Sequence, residues 1–490
     1  MTINNSEVWF TFSASYKGLL FENIDILSNI ILATGIANCV TSSEGFNYFI
    51  ENKKIVKDKI SYNFRDNTIN TKNWPENTQL QKEIDENTVN YIFEKRVDLY
   101  SHNNDLNHNY IRCFLLPLVF EIEQLYFNVV CYVNIYMSGV IIIEFRILIN
   151  QKISLENFIN NFINISTKKF DKAYFCTKYI INNEILKDPD FKTQTLINTE
   201  CTLIDAAKKI CLNFEKEFNN FFEKIIKNKA LSFETQQLWI GRPHIHILNF
   251  ENAMQTSNEN IEIYNHEINK LLNMNYEINK NNKVKDLREF DDFNYIINNG
   301  IFLSLWSKEG IEKHKDWFDL DREVSFYISN QIKNRFLSYY EILEKRGMYY
   351  ISEKDSLDDL MHYKRMGYYL DSDMQMPSRT SEIKNIIDYS KKALHINERR
   401  KINENYFSDL INLKIDLKQK KLKNRITFLT IIFGIFSVSN LILKIAKAIW
   451  LYFGFPYFNN YLLNNITFNS LSIIILFAFA YLIYTCKFKE

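Results

Sequence analysis

The stretch that decides the fold is residues 418–449, KQKKLKNRITFLTIIFGIFSVSNLILKIAKAI. It ends a longer segment, 378–449, that has no proline and no glycine before Gly434. As one continuous helix this segment would extend roughly 108 Å. Its part up to Arg425 is charged and amphipathic, whereas residues 426–443 carry no charge. The pattern predicts a stalk helix that runs directly into a transmembrane span.

A second apolar segment, 466–486, predicts a helical transmembrane hairpin together with the first. Basic residues lie beside the first span, in a group that we call the basic cuff: Lys418, Lys420, Lys421, Lys423 and Arg425. Lys487 and Lys489 follow the second span, while the loop between the spans has no Lys or Arg. The positive-inside rule therefore predicts a multi-pass protein of the inner (plasma) membrane with both termini in the cytosol.

Composition adds three expectations. Lys and Arg number 59 against 58 Asp and Glu, so no global charge favours direct binding to nucleic acid. Seven scattered cysteines without a C-x-x-C pair indicate a reducing cytosol rather than a disulfide framework. The N-terminus lacks the pattern of a signal peptide, so membrane targeting is expected to come from the C-terminal segments.

Residues 1–376 show the mixed periodicity of an α/β domain. Strands are predicted at 7–13, 110–122, 126–136, 140–149, 238–250 and 300–306, and helices at 24–37, 201–230, 261–274 and 322–346. The predicted fold class is therefore an α/β cytosolic domain, a long stalk helix and a two-helix transmembrane hairpin. Its parts are a ligand-sensing domain at 1–376, the stalk at 377–425, the first span at 426–450, an extracytoplasmic loop at 451–465, the second span at 466–486 and a cytosolic tail at 487–490.

Polar residues of the first span share one helical stripe. Ser437, Asn440, Lys444 and Lys447 are three, four and three positions apart, and Ile426, Leu429 and Phe433 continue the stripe toward the stalk. One interpretation is a pore wall, which needs a ring of subunits because two spans cannot enclose a pore. The other is that the amide associates helices while both lysines reach the headgroups.

The run Leu429-Thr430-Ile431-Ile432, followed by Ile435-Phe436 after a basic stalk, resembles the CorA family of divalent-cation channels over residues 380–486. The resemblance implies a homopentamer in the lipid bilayer, with the stripe Ile426, Leu429, Phe433, Ser437 and Asn440 facing the pore. The Gly-Met-Asn signature of that family is absent, and Lys447-Ala448-Ile449 stands in its place. Ammonium groups there would repel divalent cations.

With this filter lost and a large cytosolic domain, the chain resembles a CorA-like branch encoded beside type III CRISPR systems. The resemblance implies a defence effector whose pore is opened by a nucleotide second messenger that links S-adenosylmethionine to AMP (SAM-AMP). Two alternatives stay open: a transporter of divalent cations (Mg, Co or Zn) with a different filter, and a non-conducting membrane-anchored sensor or scaffold.

Candidate ligand residues cluster near one predicted strand. His244 and His246 share a face and could hold a metal or ligand, and Trp239 and Arg242 could stack on a nucleotide and pair with it. A plain structural or surface pair is the more common role of two such histidines, and an Arg beside a Trp more often packs at a surface. Two acidic groups could bind regulatory divalent ions: Asp316, Asp319 and Asp321, and Asp355, Asp358 and Asp359. The chain shows no phosphate loop, nucleophile elbow or H-E-x-x-H motif, so no enzyme and no required cofactor are expected.

Overall fold

The structure is a computed structural model. It describes residues 1–17, 24–63, 68–70, 84, 88, 110–136, 140–180, 185–221, 223, 234–240, 243–273, 284–298, 301–313, 357, 360–361, 381–393, 395–454, 465–474, 476, 478 and 481. The chain divides into two compact units. The first comprises residues 1–355 and 361–405, and the second comprises residues 356–360 and 406–490.

Seventeen strands are described in the first unit. They are β1 Thr2–Lys17, β2 Ala37–Ser42, β3 Phe46–Glu51, β4 Lys54–Lys59, β5 Ser61–Asn63, β6 Thr68–Asn70, β7 Tyr110–Leu115, β8 Leu118–Ile122, β9 Leu125–Tyr136, β10 Val140–Ile149, β11 Ile153–Ser154, β12 Lys172–Cys176, β13 Thr193–Ile197, β14 Glu234–Ile240, β15 His244–Phe250, β16 Phe293–Asn298 and β17 Ile301–Trp306. The described α-helices are α1 Ile24–Ala33, α2 Leu155–Asn161, α3 Leu203–Phe221, α4 Ser257–Leu272, α5 Lys308–Lys313, α6 Ser381–Ala393 and α7 Ile396–Tyr452.

One sheet of fifteen strands organises the first unit. Its main path runs β16-β17-β15-β1-β10-β9-β7-β2-β3-β4, and the remaining five strands pair beside this path. Among the described strands only β15 and β17 pair in parallel. Helix α4 and strand β16 lie between them in the chain and provide the long connection that a parallel pair needs. Strand β1 is central, since it pairs with β10, β11, β14 and β15.

The main hydrophobic core lies against one face of this sheet. Side chains alternate along β1, and Val8, Phe10 and Phe12 all enter the core while the residues between them point to the other face. Helices α1 and α3 add buried residues such as Ile31 and Phe214 to the same core. Period-two alternation in the strands and helical spacing in the helices therefore converge on one apolar layer.

Most local predictions for this unit are confirmed where the structure describes them, although the helix predicted at 24–37 ends at Ala33 and β2 begins at Ala37. The β-rich run from 110 to 149 forms β7, β8, β9 and β10, and β9 pairs antiparallel with each of the other three. The helix expected at 201–230 is α3, and the strand expected at 238–250 is divided into β14 and β15. The helix predicted at 322–346 lies outside the described residues.

The long segment 378–449 is not one helix. Helix α6 ends at Ala393 and α7 begins at Ile396, with His395 between them at a φ of +54°. A non-glycine residue in the left-handed region cannot continue a right-handed helix. The break therefore separates α6, which contacts β16 in the first unit, from the 57-residue helix α7.

The predicted CorA-like fold class is wrong in the part that defined it, the two-helix transmembrane hairpin. The first unit is a large mixed sheet, and within the described part of the chain no helix is long and apolar enough to cross a membrane. The uncharged run 426–443 contains the polar residues Ser437, Ser439 and Asn440 and is followed at once by Lys444, and such groups are costly inside a bilayer. The expected transmembrane hairpin, the ion-channel class and the inner-membrane localisation are corrected accordingly.

Gly310 provides a test of the packing between α5 and Asp292, the residue that directly precedes β16. A Cβ at this position would overlap the backbone carbonyl of Asp292, although alanine is otherwise preferred in a helix. We expect Gly310→Ala to lower the free energy of unfolding by about 1–3 kcal/mol, as overpacking does. Urea unfolding followed by circular dichroism measures the change.

The matched control is Gly434→Ala in α7, where an added Cβ meets nothing within 4 Å. The same chemical change should there be neutral or slightly stabilising. Equal effects of both substitutions on the unfolding midpoint would contradict the packing described for α5.

Candidate functional site

Along β1, the second face of the sheet is polar and yet buried. Along β1, Glu7, Trp9, Thr11 and Ser13 alternate with the core residues and are all at most 4% exposed. Buried polar groups are costly unless they are paired, so a stable sheet would ordinarily carry apolar residues here. We call this side of the sheet the polar face.

An ion pair between β1 and β10 lies at the centre of the site. Arg146 Nε donates to Glu7 Oε2 at 2.6 Å, and Nη2 donates to Oε1 at 3.1 Å. Trp9 Nε1 donates to the same Oε2 at 3.0 Å. The exposed fraction of the side chain is 12% for Arg146 and 1% for Glu7. Three donors thus hold the carboxylate in one position, and they fix the indole ring with it.

Aromatic and imidazole rings surround this pair. The Trp9 ring lies 5.1 Å from the Arg146 guanidinium carbon and 5.2 Å from the His246 ring. His244 lies 5.9 Å from His246 and 4.2 Å from the ring of Phe302. The backbone register explains the grouping, because His246 pairs with Glu7 and His244 pairs with Trp9 across the β1–β15 ladder.

The polar face reaches solvent beside this cluster. Leu148 of β10 is directly opposite Glu7 in the register, so the two side chains share a face. Leu148 is 48% exposed, whereas Glu7 is fully buried. The rings and the ion pair therefore lie just inside a solvent-exposed edge of this face, at Leu148.

The buried thiols of the first unit have raised pKa values. Burial raises the pKa of Cys211 to about 12 and raises the pKa of Cys131 well above its usual range, with the Glu144 carboxylate adding to the second shift. Both thiols consequently stay protonated at neutral pH, which is unsuited to nucleophilic attack or metal ligation. Within the described residues no group of three His, Cys, Asp or Glu side chains is placed to hold a metal ion.

The structure brings together part of the predicted ligand set. His244 and His246 lie on β15 beside Glu7 and Trp9, and Trp239 occupies the position opposite Ser13 in the β1–β14 pairing. Arg242 lies outside the described residues. So do the six aspartates of the two acidic groups.

The predicted pore stripe and basic cuff all lie on helix α7. Ile426, Leu429 and Phe433 are exposed there, as are Lys444 and Lys447 and all five residues of the cuff. Ser437 and Asn440 lie in the same helix. A pore-lining role required a membrane span, so we do not carry it forward.

The sequence interpretation missed Glu7, Trp9 and Arg146. A signal was present in SEVWFTFSA, residues 6–14, where polar or amphipathic residues alternate with Val8, Phe10 and Phe12. The partner strand was not identifiable, because Arg146 is 139 positions from Glu7.

Comparisons with known proteins returned nothing: no protein-family model matches, and no curated protein or solved structure is significantly similar to this chain. They therefore do not connect it to CorA channels. The polar face has to be interpreted from its own chemistry.

The buried ion pair predicts a distinct stability pattern. Glu7→Gln leaves the Arg146 guanidinium without its counter-charge, and we expect the free energy of unfolding to fall by about 3–5 kcal/mol. Replacing both partners, as Glu7→Gln with Arg146→Met, should recover part of this loss because no uncompensated charge remains. Urea unfolding followed by tryptophan fluorescence compares the variants.

Asp188→Asn serves as the control, because it removes an exposed ion pair with Lys178 and should change the midpoint little. If the double variant were less stable than Glu7→Gln alone, the pair would not act as a mutually compensating unit.

Proposed function

We propose that the first unit binds a small planar polar molecule, of the nucleoside or nucleotide class, on the polar face. The observation that supports this is the joint placement of Trp9, His244, His246 and the Glu7–Arg146 pair just inside the edge at Leu148. Such a face is more polar than a purely structural sheet layer needs to be.

The chemistry of the cluster suits a nucleobase. A base has flat faces that stack on indole and imidazole rings, and an edge that both donates and accepts hydrogen bonds. Imidazoles can do either, because each neutral ring has one donor and one acceptor nitrogen. The ion pair contributes by holding Trp9 in a fixed orientation, which lowers the entropy lost on binding.

A nucleotide-sensing domain was one part of the function expected from the sequence, and we retain it as a proposal. SAM-AMP belongs to the same ligand class and should be tested. The channel part is not proposed, since it depended on transmembrane helices that the described part of the chain does not contain.

Calorimetric titration of the purified full chain with a panel of ligands tests the proposal. The panel contains adenosine, guanosine, their mono- and triphosphates, S-adenosylmethionine and SAM-AMP. We expect at least one member to bind saturably. Trp9→Leu should then weaken binding about 10- to 100-fold, the loss of roughly 1–3 kcal/mol of stacking.

Two further variants locate the binding site. Leu148→Trp adds bulk at the exposed edge and should slow association without unfolding the protein, since position 148 is half exposed. Phe290→Leu removes an exposed aromatic ring elsewhere in the unit and should leave affinity unchanged. Absence of binding across the panel, or equal effects of Trp9→Leu and Phe290→Leu, would sink the proposal.

A further inference from the structure

A row of polar residues crosses the same face beyond the ion pair. Successive antiparallel pairings place one residue of each strand in register, from β4 to β1. The polar members of this row are Asp58, Asn47, Thr41, Arg112, Asn134 and Ser13, with Ile142 between the last two. Each of these pairings puts both residues on one side of the sheet, so the row belongs to the polar face.

Arg112 is the exceptional member of this row. Its guanidinium carbon lies 4.4 Å from the centroid of the Tyr132 ring, and the side chain is half-buried. Its Nε is buried and donates to no acceptor in the described part of the chain. Arg146, by contrast, donates from both Nε and Nη2 to the Glu7 carboxylate. A guanidinium nitrogen that is buried without an acceptor is unfavourable, so this edge of the group is suited to receive an oxyanion.

No acidic side chain of the described residues accepts a hydrogen bond from the buried Nε of Arg112. Asp58 is three strands distant in the row, roughly 14 Å at the usual strand spacing. Glu144 is nearer, because it pairs with Tyr132, over whose ring the Arg112 guanidinium lies. The buried Nε edge of the guanidinium therefore has no carboxylate partner among the described residues, and an oxygen acceptor is expected there, on the β7 side of the face.

We infer that Arg112 binds an oxyanion, a phosphate or carboxylate, carried by the ligand of the polar face. The inference rests on the proposed function and specifies the ligand as anionic. Stacking on Tyr132 holds the guanidinium plane, and its edge can then meet two oxygens in a bidentate arrangement. The Ser13 hydroxyl, buried and without a partner among the described residues, supplies a neutral donor on the same row.

The test compares each nucleotide with its own nucleoside, in the wild-type chain and in Arg112→Gln. We expect wild type to bind the nucleotide at least tenfold more tightly than the nucleoside, as hydrogen bonds to a charged group imply. Arg112→Gln should abolish this ratio and leave nucleoside affinity unchanged. Arg112→Lys keeps the charge without the planar fork and should reduce the ratio partly, and it serves as the test if the glutamine variant does not fold.

Lys172→Gln is the matched control, because it removes an exposed cation from β12 and should preserve the ratio. Thermal shift with inorganic pyrophosphate gives an independent measurement, with stabilisation expected in wild type and lost in Arg112→Gln. If nucleosides bind and the nucleotide has no advantage, or keeps its advantage in both Arg112 variants, the anion subsite is refuted while the proposed function stands. If neither nucleosides nor nucleotides bind, both fail together.

Discussion

The pairing of β1 with β10 is the constraint on which the rest of the structure depends. Ten consecutive positions are in register, from Ser6 opposite Ile149 to Ser15 opposite Val140. Because side chains alternate with a period of two, a slip of one residue would exchange the two faces of β1. Glu7 and Trp9 would then enter the apolar core, and Phe10 would leave it. The separation of an apolar face from a polar face follows from this register.

The two faces differ in what stabilises them. The apolar face gains stability from burial against α1 and α3, a contribution of about 25 cal/mol for each Å² removed from water. The polar face has one smaller apolar cluster, which includes Phe114 and Tyr132, and it also depends on charge-assisted hydrogen bonds such as those between Arg146 and Glu7. The Nε of Arg112 has no such partner among the described residues, which is why the anion site is expected at its position and not at Arg146.

The pairing of β15 with β1 brings the histidines to the cluster. Helix α4 makes the parallel pairing possible, and its start is defined by a capping box in which Thr256 and Glu259 each accept from the other's backbone N–H. The pairing then extends the polar face, because His246 is opposite Ser304 of β17. The capping of α4 therefore contributes to the placement of β17 beside β15.

The sequence by itself determined most local elements of the first unit. Alternation and β-branched residues in 110–149 predict strands because half-buried sheets require that pattern, and helical spacing predicts α3. It misled at 378–449, where an uncharged run suggested a membrane span and a left-handed His395 could not be foreseen. Only the tertiary structure decided the order of the strands and hence the polar face. Glu7, Arg112, Arg146 and His246 are distant in the chain, and only long-range backbone pairing, which leaves no local signal, places them on one face.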